Sequence, residues 1–264
     1  MKTKLGINGA CGRMGKRIVQ LAHEDKSLAI VAAIDAFQHP EHGTDIGAAS
    51  GVGALGVNVL STLPLDARPD VFIDFSMPEG TMHVLKICLE RKIPLVVATT
   101  GFSDTQKREI EAAAHHTALL MAPSMSLVVN VLVKLVREAA LALKDKGFDV
   151  EIIERHHRFK KDSPSGTALH FAQIIQGAMG DMKIMHGREG LVGERTPNEI
   201  GMHAVRSGDN VGEHTILFST LGETMELVHK GHTRDAYVRG ALQAAKFLAT
   251  KGPGRYTMDD VLGL

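Results

Sequence analysis

The sequence predicts an α/β protein: a doubly wound parallel sheet followed by a smaller α+β domain with a mixed or antiparallel sheet. Three observations carry this expectation. Strand-like and helix-like segments alternate as far as Ala122, the order that builds a parallel sheet. A glycine loop, Gly9-Ala10-Cys11-Gly12-Arg13-Met14-Gly15, stands between the first strand and the first helix. After Pro123 the later strand-like segments have little helix between them, and the first alternates polar with apolar residues.

The elements follow in order. Lys4–Asn8 is a short apolar strand, and a helical pattern runs through Arg17–Ala22. Ala29–Ile34 is continuously apolar, as a strand buried on both faces is. Gly43–Gly56 reads as loop. Val71–Phe75 is a strand and Pro78–Glu90 a helix, with proline suited to its first turn. Leu95–Ala98, Asp104–Ala114 and Ala118–Ala122 continue as strand, helix and strand. Then come a long helix over about Leu127–Lys144 and a half-buried strand over Phe148–Glu154. A helix begins near Pro164 and runs to about Gln176. Gly201–Arg206, His214–Ser219 and Thr224–His229 read as strands, and Tyr237–Ala249 as a helix able to pack back on the first domain. The division this suggests is residues 1–126 with 238–264 as one domain and 127–237 as a second.

Composition narrows the function. The 264 residues suit one large domain or two small ones, and the change of character after Pro123 favours two. Hydrophobic residues at 44% and charged residues at 23% are ordinary globular usage. Thirty basic residues balance 30 acidic ones, so no global cationic field invites nucleic acid or a membrane surface. No apolar run approaches the ~20 residues of a membrane span. The N-terminal segment lacks the apolar stretch and cleavage site of a secretory signal, and the expected location is cytoplasmic. Cys11 and Cys88 have neither metal-ligand nor redox spacing.

The glycine loop can let a pyrophosphate approach the backbone, with the helix N-terminus facing its charge. The spacing is G-x-x-G-x-x-G, and such a loop also serves as a plain strand–helix turn. Its position strengthens the binding reading. Asp35 closes the second strand, where a carboxylate accepts hydrogen bonds from the adenosine ribose hydroxyls. Ala36 and Phe37 offer no guanidinium for a 2′-phosphate, so NADH is the preferred cofactor. Arg13, Lys16 and Arg17 are close enough in sequence to keep NADPH open. These features make the first domain Rossmann-like.

The second informative stretch is Glu154–Ala168, where His156, His157, Arg158, Lys160 and Lys161 precede the Pro164-Ser165-Gly166 helix entry. Histidine can donate a proton near neutral pH, and lysine can hold an anion or assist that donation. Free N–H groups at the helix start, with the Ser165 and Thr167 hydroxyls, suit a carboxylate. A solvated basic loop is the plainer reading. No metal is expected, because adjacent His156 and His157 point apart and no further ligand completes a zinc pattern.

Residues 154–168 resemble the H-H-x-x-K-x-D-x-P-S-G-T-A signature of the 4-hydroxy-tetrahydrodipicolinate reductase (dihydrodipicolinate reductase) family. The resemblance extends to the Gly-Arg-Met-Gly core of the loop, Asp74-Phe75-Ser76, Thr99-Thr100-Gly101 and Val211–Thr215. It implies NAD(P)H-dependent reduction of a cyclic dicarboxylate imine in the diaminopimelate route to lysine. It implies His156 as proton donor or acceptor with Lys160 as companion, and substrate contacts at His157, Ser165, Gly166 and Thr167. It implies cofactor contacts at Gly9, Ala10, Cys11, Gly12, Arg13, Met14, Asp35, Ala98, Thr99, Thr100, Ala122, Pro123, Ser124 and Met125. A homotetramer that closes about a hinge is implied as well.

The chain departs from the family pattern where Ser124 and Val128 replace asparagine and glycine, and Ala98 a frequent glycine. That leaves open a divergent reductase of another cyclic imino acid or dicarboxylate. A non-catalytic nucleotide sensor would be expected to lose His156 or Lys160, and both are present.

Overall fold

Strand and helix alternate from the first residues of the computed structural model, which describes residues 2–264. The order is β1 (Thr3–Asn8), α1 (Arg13–Glu24), β2 (Leu28–Ile34), α2 (Ile46–Ala49), β3 (Val59–Leu60), β4 (Val71–Asp74), α3 (Pro78–Arg91), β5 (Leu95–Val97), α4 (Asp104–Ala113) and β6 (Ala118–Met121). The apolar runs are continuous because both faces of the sheet are covered. On β4, Val71 and Ile73 join the core under α1, while Phe72 joins the core under α3 and α4. Local chemistry sets the ends. Pro78 opens α3, and Ser103 with Gln106 forms a reciprocal capping box at the start of α4.

The Gly43–Gly56 stretch is more ordered than a loop. Asp45 caps α2 through the Ala48 N–H and also accepts from the N–H groups of Leu55, Gly56 and Val57. These backbone donors hold its carboxyl down to about 2.

Residues 128–234 form a unit of their own. It holds nearly all of α5 (Leu127–Leu143), then β7 (Asp149–His156), α6 (Gly166–Met179), β8 (Lys183–His186), β9 (Glu199–Arg206), β10 (Gly212–Thr220) and β11 (Glu223–Gly231). The strands lie in the order β11-β10-β7-β9-β8. β10 is antiparallel to β11 and β7, whereas β9 is parallel to β7 and β8, so the sheet is mixed. Val150, Ile152, Ile216 and Phe218 pack with Phe171 and Ile175 of α6 and Val136 of α5.

The chain then returns to the first unit, which comprises residues up to 127 and from 235 onward. α7 (Asp235–Leu248), β12 (Gly254–Tyr256) and α8 (Met258–Leu262) complete it. Val238, Ala241, Leu242, Ala245 and Leu248 recur at helical spacing and join the β1/β4 core. The packing is tight enough that a Cβ on Gly240 would stand 1.7 Å from the Met125 carbonyl oxygen. All seven strands of this sheet are parallel, in the order β12-β6-β5-β4-β1-β2-β3.

Candidate active site

The sites predicted from sequence fall into two groups, one in each unit. In the first unit, Gly9, Gly12 and Asp35 line a cleft of about 610 Å³ at the C-terminal ends of β1, β2 and β4, together with Phe37, His39 and Ser76. The strand order reverses at β1, which lies between β2 and β4, and open parallel sheets bind ligands at such a crevice.

The three glycines have separate physical causes. Gly9 adopts φ +72°, and a Cβ there would meet the Phe75 carbonyl oxygen at 2.6 Å. A Cβ on Gly15 would stand 2.1 Å from the Gly9 carbonyl oxygen, so α1 can lie this close to the loop only with glycine. Gly12 is exposed, and a Cβ would meet nothing closer than the Gly9 oxygen at 3.3 Å. It precedes α1 without any side-chain cap, leaving first-turn N–H groups for an anion. Asp35 accepts from the Cys11 and Ala36 N–H groups, both at 2.8 Å, which fixes its carboxylate at the end of β2.

Below the cleft, Asp74 is wholly buried and accepts from Asn8, Ser76, Thr81 and Thr99 side chains at 2.5–2.7 Å. This network ties together the loops that follow β1, β4 and β5. Thr99 is thereby committed through its hydroxyl, which also accepts from the Ser76 N–H. The Met125 side chain lies in the core, so Thr99 and Met125 have backbone rather than side-chain groups to offer a ligand. Ala10, Cys11 and Ala122 are buried, Ala98 and Ser124 half-buried, and Arg13, Thr100 and Pro123 exposed. Met14 packs its side chain against the core. Val128 is 61% exposed, so its extra bulk displaces nothing in the core.

Cys11, His39 and Glu41 bring three ligand-type atoms within 4.8 Å of one another. Burial and then Asp35 push the Cys11 thiol up to about 12, and Lys16 already supplies a cation 2.5 Å from Glu41.

In the second unit, alternation along β7 carries the sheet's buried face from Val150 and Ile152 on to Glu154 and His156. Glu154 is wholly buried. It accepts from His156 Nδ1 at 2.6 Å, from both Arg206 terminal nitrogens at 2.7 and 2.8 Å, and from the Ser165 N–H at 2.9 Å. Lys160 bonds to Asp162 at 2.8 Å and lies near enough to His156 to disfavour its cation. His157 is half-buried and tilted against Phe159. Ser165 caps α6 through the Ala168 N–H and lies 3.2 Å from His214 Nε2, so its hydroxyl is already engaged. Gly166 is exposed and Thr167 half-buried, and their first-turn N–H groups face no earlier helical carbonyl.

Burial pulls the His156 imidazole below its ordinary value, and Glu154 opposes that pull. Burial pushes Glu154 up, but Arg206, His156 and the Ser165 N–H outweigh it, so its carboxyl stays below the usual range. His214 stands edge-on to His156 and stacks on His229, with ring centroids 5.4 and 5.9 Å apart. Its burial, followed by the neighbouring His156 and His229 rings, pulls it down to about 3.

Sequence reasoning did not single out Glu154, Arg206, His214 or His229 for this site. The signal available for Glu154 and His214 was the strand alternation, which puts each on a face otherwise filled by valine, isoleucine or phenylalanine. A consequence is testable. Between pH 6.5 and about 3 the unfolded chain binds a proton at His214 that the folded chain refuses. The stability present above pH 6.5 is therefore lost as pH falls, by about 1.4 kcal/mol per pH unit for one such group. Urea unfolding between pH 7 and 5 is expected to show this slope, and His214→Phe to reduce it; an unchanged slope assigns it elsewhere.

Comparison with known proteins agrees across both units. The family description "Dihydrodipicolinate reductase, N-terminus" matches residues 3–125, and "Dihydrodipicolinate reductase, C-terminus" matches residues 128–262. A 4-hydroxy-tetrahydrodipicolinate reductase of Rhodopirellula baltica is 49% identical over 98% of this chain and 96% of its own. One from Syntrophotalea carbinolica is 43% identical over 99% of each chain. Among solved structures, a dipicolinate-bound dihydrodipicolinate reductase from Paenisporosarcina sp. TG-14 is similar with a TM-score of 0.79 and 26% identity, covering 97% of this chain and 98% of that one. With its glycine loop, β2 carboxylate and buried histidine, this chain belongs to the dihydrodipicolinate reductase family.

Proposed function

We propose that the protein reduces 4-hydroxy-tetrahydrodipicolinate to tetrahydrodipicolinate in the diaminopimelate route to lysine, with loss of water and a nicotinamide dinucleotide as reductant. The observation that carries this reading is His156, buried beside Lys160 and the α6 N-terminus in a chain of this family. The cleft at β1, β2 and β4 fits the dinucleotide. Gly12 and the uncapped α1 start suit its pyrophosphate, and Asp35 its adenosine ribose. When bound, the reduced nicotinamide supplies the hydride.

This chain's own residues do the rest. His156 carries the proton that the ring needs as hydride arrives. Lys160 and the Gly166 and Thr167 N–H groups neutralise the substrate carboxylates, and His157 contacts the ring substituents. No metal enters the reaction.

NADH is the preferred reductant under this reading. Of the cations near the loop, Lys16 is paired with Glu41, and Arg17 makes two bonds to Asp235 at 2.6 and 2.7 Å. A 2′-phosphate would face the Asp35 carboxylate with the Lys16 and Arg17 charges already spent, leaving exposed Arg13 as the remaining cation of the loop. The protein works in the cytoplasm as a homotetramer, without nucleic-acid or membrane partners. No described helix is long and apolar enough to cross a membrane, and the edge strand β11 exposes Met225 and Val228.

Freshly generated 4-hydroxy-tetrahydrodipicolinate, followed by nicotinamide absorbance, tests the proposal. Oxidation of both dinucleotides with the higher kcat/KM for NADH is expected. Parity or a preference for NADPH would overturn the Asp35 argument, and absence of oxidation with either would overturn the assigned reaction.

A further inference from the structure

We infer that Glu154, locked in place by Arg206, is a positioning residue that fixes the tautomer of His156 and so decides which of its ring nitrogens takes part in proton transfer. The inference rests on the reading of His156 as proton donor and adds the groups that make it one.

The geometry leaves Glu154 little freedom. One carboxylate oxygen, Oε2, receives Arg206 Nη1 and His156 Nδ1; the other, Oε1, receives Arg206 Nη2 and the Ser165 N–H. A two-pronged guanidinium bond of this type holds a carboxylate in its ionised, acceptor-only form. Arg206 is itself anchored to the Asp162 carbonyl at 2.7 Å. Facing such an acceptor, His156 must carry its hydrogen on Nδ1, which leaves Nε2 as the nitrogen that gains or gives the transferred proton. Nε2 lies beside Gly212, where a Cβ would stand only 2.9 Å away, so glycine keeps that side of the ring clear.

The charges around the ring set its protonation. Glu154 on β7 favours the imidazolium; Lys160 after β7 and Arg206 on β9 oppose it. His214 on β10, with His229 of β11 stacked behind it, is buried and stays neutral at physiological pH, so it does not compete for the proton. Burial is the largest influence and works against the cation. Glu154 is the group that offsets part of that pull, so its loss leaves the His156 cation still less favoured. A buried Glu–Arg pair placed for stability alone gives no net gain over apolar packing and has no need of a histidine.

The test is Glu154→Gln, which keeps the shape and removes the charge. Its kcat is expected to fall on the basic side at lower pH than wild type by about one unit or more, the scale of one lost ion-pair neighbour. Activity near pH 7.5 then drops about tenfold or more and recovers on acidification, while KM and dinucleotide affinity change little. Glu154→Asp is expected to restore most of the wild-type midpoint. In 15N-histidine-labelled protein, nitrogen shifts should report Nδ1–H for neutral His156 in wild type and a tautomer mixture in Glu154→Gln.

An unmoved pH profile with only a lowered Tm would make Glu154 merely structural and overturn the inference. If Glu154→Gln does not fold, the wild-type spectrum decides: an Nε2–H tautomer overturns it, and Nδ1–H supports it. That spectrum needs no substrate, so failure of the assigned reaction would show as absent wild-type turnover and not as an altered tautomer.

Discussion

Replacing His156 with glutamine is expected to lower kcat by about 10²–10⁴-fold, the range associated with loss of a positioned general acid, while dinucleotide affinity is unchanged. Glutamine fills a similar space and can still reach Glu154, but it has no proton to give near neutral pH. The fold should survive, because Glu154 keeps both bonds from Arg206 and the Ser165 N–H when the imidazole is lost. The residues proposed to hold the dinucleotide, from Gly9 to Met125, belong to the other unit of the fold and are untouched. The comparison to make is single-turnover reduction at saturating substrate alongside direct dinucleotide titration. Unchanged turnover would remove His156 from proton transfer and return the role to Lys160 or to solvent. A fall in dinucleotide affinity equal to the fall in kcat would mean that the substitution had damaged binding instead.

The contrast between what the sequence displays and what it hides follows from how far each interaction reaches. Ala29–Ile34 announces a doubly covered strand because burial on both faces demands an unbroken apolar run, and the structure extends it only to Leu28. Gly9, Gly15 and Asp35 are legible because one backbone turn and one strand end impose fixed spacing between them. By contrast β3 is only Val59-Leu60, and β12 only Gly254–Tyr256. Each is defined by its neighbour in the sheet, not by any period of its own. β8 has the same difficulty, its four residues gaining their identity from pairing with β9.

The site is divided in the same way. His156 and Lys160 stand in a conspicuous polar segment, whereas Arg206 reaches Glu154 from 52 positions along the chain. Asp74 likewise gathers Asn8 and Thr99 from 66 and 25 positions away. Alternation on β7 marks Glu154 as buried, but only tertiary structure supplies the guanidinium that makes such burial tolerable.

The second large effect separates two glycines of one loop. Gly15→Ala is expected to destabilise the protein by about 2–3 kcal/mol, within the range for overpacking a tight contact, and to weaken NADH binding together with it. The added Cβ would lie 2.1 Å from the Gly9 oxygen and 2.6 Å from that of Ala10, both backbone atoms with no flexible end to swing away. Either α1 or the loop must move, and the Cys11 N–H that orients Asp35 moves with the loop. Gly12→Ala meets only the Gly9 oxygen at 3.3 Å, so a few tenths of an ångström of adjustment accommodate it and Tm stays near wild type. Gly12 nevertheless lines the cleft at the start of α1, where a methyl group occupies space that a pyrophosphate needs. NADH affinity is therefore expected to fall by about tenfold or more without loss of stability. Urea unfolding and NADH titration of both variants check the pair. A Gly12→Ala protein that binds NADH as wild type does would place the pyrophosphate elsewhere, since nothing else in the structure forbids a side chain at that position.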